Sequence, residues 1–191
     1  MTRLHRAAIV AVALGAAAVA WGAWIPAKAV VAQHLLRRAW AATGSSPVRP
    51  WPWARTWPVA RLQAPSLGVD EIVLAGAEGA ALAFAPGHVD GTAAPGEDGN
   101  VVLAGHRDTV FQFLGELRPG DRVWLETAND RRIEYVVDSG EVIDERDVGV
   151  LAPTAVPTLT LLTCYPFETV RPGGPLRYVV RAVAEGGHEV E

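Results

Sequence analysis

The chain has 191 residues, half of them apolar, a single cysteine and a formal net charge of −4. That length suggests one domain with an appendage, rich enough in apolar residues to form a real core. The charge is uneven: residues 1–60 carry seven basic residues and no acid, while residues 61–191 carry ten basic residues and all 21 acids. The acidic globular part would repel phosphates and argues against a nucleic-acid partner, and the basic N-terminal part fits a position beside anionic lipid headgroups.

From Ala7 to Ala27 no residue is charged. About 20 apolar residues cross a bilayer core of about 30 Å as a helix. Arg3 and Arg6 precede the run, as expected for a cytoplasmic N-terminus, and Trp21 and Trp24 sit at its far end, where interfacial aromatics belong. Lys28, Arg37 and Arg38 follow and weaken the charge asymmetry. A cleaved signal peptide is the competing reading, with "AKA" at 27–29 as the cleavage site; the apolar run is long for such a peptide, which favours an uncleaved single-pass transmembrane helix. Residues 1–27 are therefore expected to be a cytoplasmic tip and membrane anchor, with the rest of the chain on the extracytoplasmic side.

Residues 28–42, "KAVVAQHLLRRAWAA", read as a short helix continuing from the anchor. Pro47, Pro50, Pro52 and Pro58 then forbid regular helix and favour an extended linker, so residues 28–60 form a stalk helix and a Pro/Trp-rich linker. Trp51, Trp53 and Trp57 in that linker lie against either the membrane surface or the domain.

Residues 61–191 change texture. Short apolar runs recur between turn signals: "IVLAG", "NVVLAG", "DRVWLET", "RRIEYVV", "TLTLLT" and "LRYVVRAVA". "DRVWLETANDRRIEYVVDSG" predicts a hairpin, with strands near 122–127 and 131–138 joined through Asn129 and Asp130. Ile133, Tyr135 and Val137 would share one face, and Arg132, Glu134 and Asp138 the other. Helical turns are predicted at Gly79 to Phe84 and within "DERDVGVLAP". Several short strands at this spacing suggest a closed or nearly closed β-barrel.

The only cysteine, Cys164, ends the predicted strand "TLTLLTC", ahead of a loop stiffened by Pro166, Pro172 and Pro175. Leu159 and Leu161 fall on one face of that strand, and Thr158, Thr160, Leu162 and Cys164 on the other. An exported chain with one cysteine cannot form an intrachain disulfide, so the thiol is either reactive or intermolecular. A free thiol with a pKa of about 8.5 holds little thiolate at neutral pH, and a histidine can take its proton and later return it to a leaving amine. Of the five histidines, His5 and His34 lie in the anchor and stalk and His188 in the terminal tail. His88 sits in the Gly/Pro-rich "APGHVDGTAAPGEDG", which suits a structural or surface use. His106 closes "NVVLAGHRDT", a second apolar strand ending in a polar loop, so the two strand ends could meet across a groove. A tetrahedral oxyanion also needs a donor. Arg177 opens the strand "LRYVVRAVA"; if that strand pairs antiparallel with "TLTLLT", Arg177 comes near Cys164, with Arg171 on the intervening loop as its rival.

"TLLTC" at 160–164 resembles the TLxTC signature of sortases, the membrane-anchored cysteine transpeptidases; "LAGHRDT" at 103–109 resembles their histidine motif and "LRYVV" at 176–180 their arginine strand. The longer runs "TLTLLTCYPF…PGGPLRYVV" and "PGHVDGTAAPGEDGNVVLAGHRD" look most like the sortases of Gram-negative bacteria. The resemblance covers about residues 61–184 and implies an eight-stranded sortase β-barrel with short helices, behind an N-terminal transmembrane helix in the inner membrane. It further implies that Cys164 attacks the Thr–Gly carbonyl of an LPxTG-like sorting signal near the C-terminus of an exported protein. The thioacyl enzyme then passes its acyl group to an amine. His106 would be the general acid/base and Arg177 the positioning and oxyanion residue, with Thr163 adding a backbone or hydroxyl contact. Asp108 could orient His106 but is not required.

Three other readings remain open from the residues alone. A thiol hydrolase would pass the thioester to water. A non-enzymatic, membrane-tethered β-domain would bind a surface partner and tolerate loss of the thiol. A metal site at His88, His106 and nearby carboxylates has no matching zinc spacing, and no cofactor is expected.

Overall fold

Beyond the proline-rich linker, apolar runs of five to nine residues bounded by turn residues favour strands over helices. In the computed structural model, which describes residues 3–44, 46–82, 84–169 and 173–185, the chain forms eight strands. They are β1 (Pro58–Ala64), β2 (Val69–Ala75), β3 (Gly87–His88), β4 (Asn100–Ala104), β5 (Arg122–Thr127), β6 (Arg132–Asp144), β7 (Thr158–Tyr165) and β8 (Leu176–Ala184). They close into one barrel in the order β1-β2-β3-β4-β7-β8-β6-β5. The β2–β3 and β4–β7 ladders are parallel and the others antiparallel. Closure satisfies the strand edges that an open sheet would expose, and the expected eight-stranded all-β barrel is what forms.

Period-two alternation decides which side chains fill the interior. Leu62 of β1, Val73 of β2, Leu103 of β4, Leu125 of β5, Tyr135 of β6, Leu161 of β7 and Val180 of β8 meet there in one buried cluster. Burial of the Tyr135 phenol raises its pKa to about 12. The predicted hairpin is present, with β5 and β6 paired from Arg122↔Val136 to Glu126↔Arg132. Asp130 turns the chain at φ 61, a left-handed conformation that aspartate tolerates better than most residues. β6 runs six residues past the expected end at Asp138, because its second half leaves β5 and pairs with β8 down to Asp144↔Leu176. An irregularity between Val137 and Ser139 marks the change of partner, as bulges commonly do where a strand bends.

The predicted helical turns appear as α2 (Gly79–Leu82) and as a 3-10 turn over Val148–Leu151. N-terminal to the barrel, α1 (Arg3–Ala42) joins the expected anchor and stalk in one helix. Most side chains between Ala7 and Ala27 lie outside the description, and among the described residues no helix is long and apolar enough to cross a membrane. The stalk half of α1 lies against the outer face of β2. Leu36, fully buried, meets Ile72, Leu74 and Ala85, with Trp40, Trp51 and Phe84 packed around them. Gln33 donates to the Phe84 carbonyl, and Arg37 donates to the Asp70 side chain and carbonyl at 3.1 and 3.0 Å. Of the linker tryptophans, Trp51 stands edge-on to Phe84 and Trp53 is exposed.

Candidate active site

β7 departs from the simple two-faced pattern. Leu159 and Leu161 face the interior as expected, but Thr158 and Thr160 on the opposite face are buried as well. The connection between β6 and β7 covers them. It is held by Asn100 at the start of β4, which is itself buried: Nδ2 donates to the Val150 and Ala152 carbonyls at 2.9 and 3.0 Å, and Oδ1 accepts from Thr160 Oγ1 at 2.7 Å. Only toward the end of β7 does this outer face open, at Leu162 and Cys164.

Cys164 is a half-buried free thiol. Across the β7–β8 ladder its direct partner is Arg177. Directly opposed residues of an antiparallel pair project to the same face with Cβ atoms about 4.5–5.5 Å apart, so the two side chains leave the sheet together. On the other side of β7, β4 runs parallel, in register from Asn100↔Thr158 to Ala104↔Leu162. The pairing continues one step further through Gly105 N to the Leu162 carbonyl at 3.1 Å, and Thr163 Oγ1 donates to the Gly105 carbonyl at 2.7 Å. His106, exposed, therefore leaves β4 at the barrel end where Cys164 leaves β7. The expected meeting of the two strand ends is present, and Thr163, fully buried, supplies the hydroxyl that ties them.

Gly105 fits this turn because a Cβ there would lie 2.7 Å from the Phe111 ring. The chain curls back immediately, with the Phe111 amide donating to the His106 carbonyl at 3.0 Å, and Phe111 fills the barrel end. Beyond β7, Tyr165 and Phe167 pack with Tyr178 over the same end, at ring centroid separations of 5.3 to 6.2 Å.

Arg177 is held firmly. Nη1 donates to the Gly174 and Leu176 carbonyls at 2.7 and 2.9 Å, and Nη2 pairs with Glu145 Oε2 at 2.8 Å. Glu145 follows the last residue of β6, and its amide also donates to the Pro175 carbonyl. Arg107 next to His106 is buried; it donates through Nε to Asp108 at 3.2 Å and through Nη2 to the Thr169 carbonyl at 3.3 Å, binding the His106 loop to the loop after Cys164. Asp108 is thus engaged by its neighbour Arg107. Sequence reasoning missed Asn100, Arg107 and Glu145: each is a common polar residue whose partner lies in a distant segment. The rival cation Arg171, like His188, lies outside the described residues. His88 is used structurally, with Nε2 2.8 Å from the Ala93 carbonyl and 3.2 Å from Thr92 Oγ1.

Comparison with known proteins agrees with this architecture. Residues 62–185 match the sortase domain family, so the chain belongs to the sortase family. It is 32% identical over 120 residues to sortase D of Bacillus subtilis (strain 168), an alignment that takes in 62% of this chain and 60% of that relative's length. Among solved structures, a Clostridium perfringens sortase D5 transpeptidase superposes with a TM-score of 0.66 at 25% identity, covering 82% of this chain and 99% of the other. Sortase A of Listeria monocytogenes superposes with a TM-score of 0.62 at 26% identity, covering 70% and 91%.

Proposed function

We propose that this protein is a membrane-anchored cysteine transpeptidase acting on an exported protein with a C-terminal LPxTG-like sorting signal. The single observation that carries this reading is the register: Cys164 opposite Arg177 on β8, with His106 leaving the adjacent parallel strand at the same end. The Cys164 thiolate attacks the Thr–Gly carbonyl carbon. The oxyanion that forms accepts hydrogen bonds from the Arg177 guanidinium, which also positions the substrate. As the C–N bond breaks, the His106 imidazolium gives its proton to the departing amine, leaving a thioester on Cys164. An acceptor amine then attacks the thioester, His106 takes its proton, and the thiolate is released. General acid–base assistance of this kind is typically worth about 10²–10⁴ in rate.

The run from Ala7 to Ala27 would anchor the chain in the inner membrane with the barrel outside it, and the "PGHVDGTAAPGEDGNVVLAGHRD" segment favours the Gram-negative class. Arg3 and Arg6, which precede that run, support the anchor with its N-terminus in the cytoplasm. The test incubates the full chain in detergent micelles with LPxTG-like peptide libraries and an amine such as triglycine. A thioacyl adduct on Cys164 and an amine-terminated product are expected. Product released only to water would indicate a peptidase, and no adduct on a readily alkylated Cys164 would end the transpeptidase reading.

A further inference from the structure

We propose that Asn100 is a positioning residue for the substrate, acting through the connection between β6 and β7. This inference rests on the transpeptidase reading and assigns it a residue six positions before His106.

Residues 145–157 cross the outer face of β4 and β7, the face on which Cys164 opens. Within this connection the hydrogen bonds are local: Asp147 Oδ1 accepts from the Gly149 amide, the Ala152 amide donates to the Gly149 carbonyl, and Thr154 Oγ1 donates to the Val156 carbonyl. Among the described residues, the hydrogen bonds that tie its middle to the sheet are the two from Asn100 Nδ2 to the Val150 and Ala152 carbonyls. Thr160 Oγ1 donates to Asn100 Oδ1, which fixes which end of the carboxamide faces the connection. An apolar side chain would fill the same space, but it would leave the buried Val150 carbonyl unpaired, release the Ala152 carbonyl and free the connection to slide. A fully satisfied buried amide specifies one register.

That register matters because of where the wall stands. Thr160 and Cys164 lie on one face of β7, four residues or about 13 Å apart. The wall is thus fixed about the length of a four-residue extended peptide from the sulfur. Val148 and Val156 on the connection are exposed, at 71% and 52%. An extended peptide with an apolar residue ahead of its scissile bond could rest against this wall while its carbonyl reaches Cys164. The far end of the connection touches the catalytic machinery directly, since Glu145 pairs with Arg177.

The experiment uses the full chain in detergent micelles with the sorting peptide and amine that the wild type processes best. Asn100→Asp keeps the size and removes both donors; Thr160→Val removes the orienting hydroxyl, and Thr160→Ser restores it. Each variant is measured for KM, kcat, the alkylation rate of Cys164 by iodoacetamide, and amide exchange over residues 149–152. Asn100→Asp is expected to raise KM at least tenfold, to keep kcat within threefold and alkylation within twofold, and to speed exchange at the Ala152 amide. Thr160→Val should follow in the same direction and Thr160→Ser should return to wild type. An unchanged KM with faster exchange would overturn the substrate role, and unchanged exchange would overturn the pinning itself. A fall in kcat and alkylation with KM unaltered would reassign Asn100 to the structure of the sheet. Should Asn100→Asp not fold, the Thr160 pair decides by the same criteria. A wild-type enzyme that alkylates normally but processes no peptide defeats the transpeptidase reading instead, and the exchange measurement still decides the pinning.

Discussion

Arg177 has its guanidinium divided between two carbonyls and one carboxylate. The planar fork suits this arrangement in a way that an ammonium does not. Arg177→Ala is expected to lower kcat by about 10²–10³, near the 3–4 kcal/mol typical of a lost oxyanion donor. Arg177→Lys should recover little of that loss, because a lysine cannot satisfy both carbonyls and still present a donor beside Cys164. Glu145→Gln is a finer probe. It removes the charge of the pair, which is 25% and 44% exposed on its two sides, but leaves both carbonyl contacts. Because exposed pairs contribute at most about 1 kcal/mol, kcat should fall by less than tenfold. In all three variants iodoacetamide should alkylate Cys164 at close to the wild-type rate, because the loss lies in stabilising the acyl-transfer transition state. A matching loss of alkylation would place Arg177 in thiol activation instead.

At the scale of elements, α1 is built into the barrel domain rather than tethered loosely beside it. Leu36 is fully buried against Ile72, Leu74 and Ala85. Truncating a buried leucine typically costs about 2–5 kcal/mol, the spread reflecting how far the site can collapse. Leu36→Ala is therefore expected to lower the thermal midpoint of the full chain by several degrees, while Val31→Ala, at an exposed position of the same helix, leaves it unchanged. An unmoved midpoint with rapid exchange confined to residues 29–42 would show that the helix opens independently of the barrel. The elements also show what a sequence can reveal. β7, β8 and the β5–β6 hairpin were readable because alternation and turn residues are local signals. The placement of Cys164, His106 and Arg177 at strand ends was readable for the same reason, and the ladders bring those strand ends to one end of the barrel. The length of β6 was not readable: Glu141 to Asp144 look like loop until β8 arrives to pair with them. Nor was the burial of Thr158 and Thr160, which depends on a connection that Asn100 draws over them from the neighbouring strand.

The molecule as a whole carries two adjacent carboxyl groups on β2 that pull its pH dependence in opposite directions. Asp70 faces outward between Arg61 and Arg37; its bonds to Arg61, at 2.7 and 2.9 Å, with a further one from Arg37, hold its pKa at about 2. Glu71 faces the other way, into a cleft of about 400 Å³ that it shares with Gln112 and Glu116. There burial pushes its pKa up to about 7, with the Asp70 charge adding to the rise and Arg37 opposing it. For Asp70 the native state releases its proton more readily than the unfolded chain. Its stabilisation is present above pH 3.8 and disappears as the pH falls toward 2. For Glu71 the native state holds its proton more tightly. Stability is greatest below pH 4.5 and declines as the pH rises to 7, where the buried carboxylate must form in both states. Glu71→Gln keeps the shape and removes the ionisation. It is expected to raise the unfolding free energy, measured by urea titration at pH 8, by an amount on the order of 1 kcal/mol, since Glu71 is only half-buried and solvent screens the full effect. At pH 4.5 the gain should shrink to a small fraction of that. Asp70→Asn should do the reverse, costing stability at pH 8 and little at pH 2. The cleft also borders Thr109, Val110 and Phe113 in the segment that follows His106. A urea midpoint that changes equally at pH 4.5 and pH 8 in Glu71→Gln would show that packing, not ionisation, governs this side of the barrel.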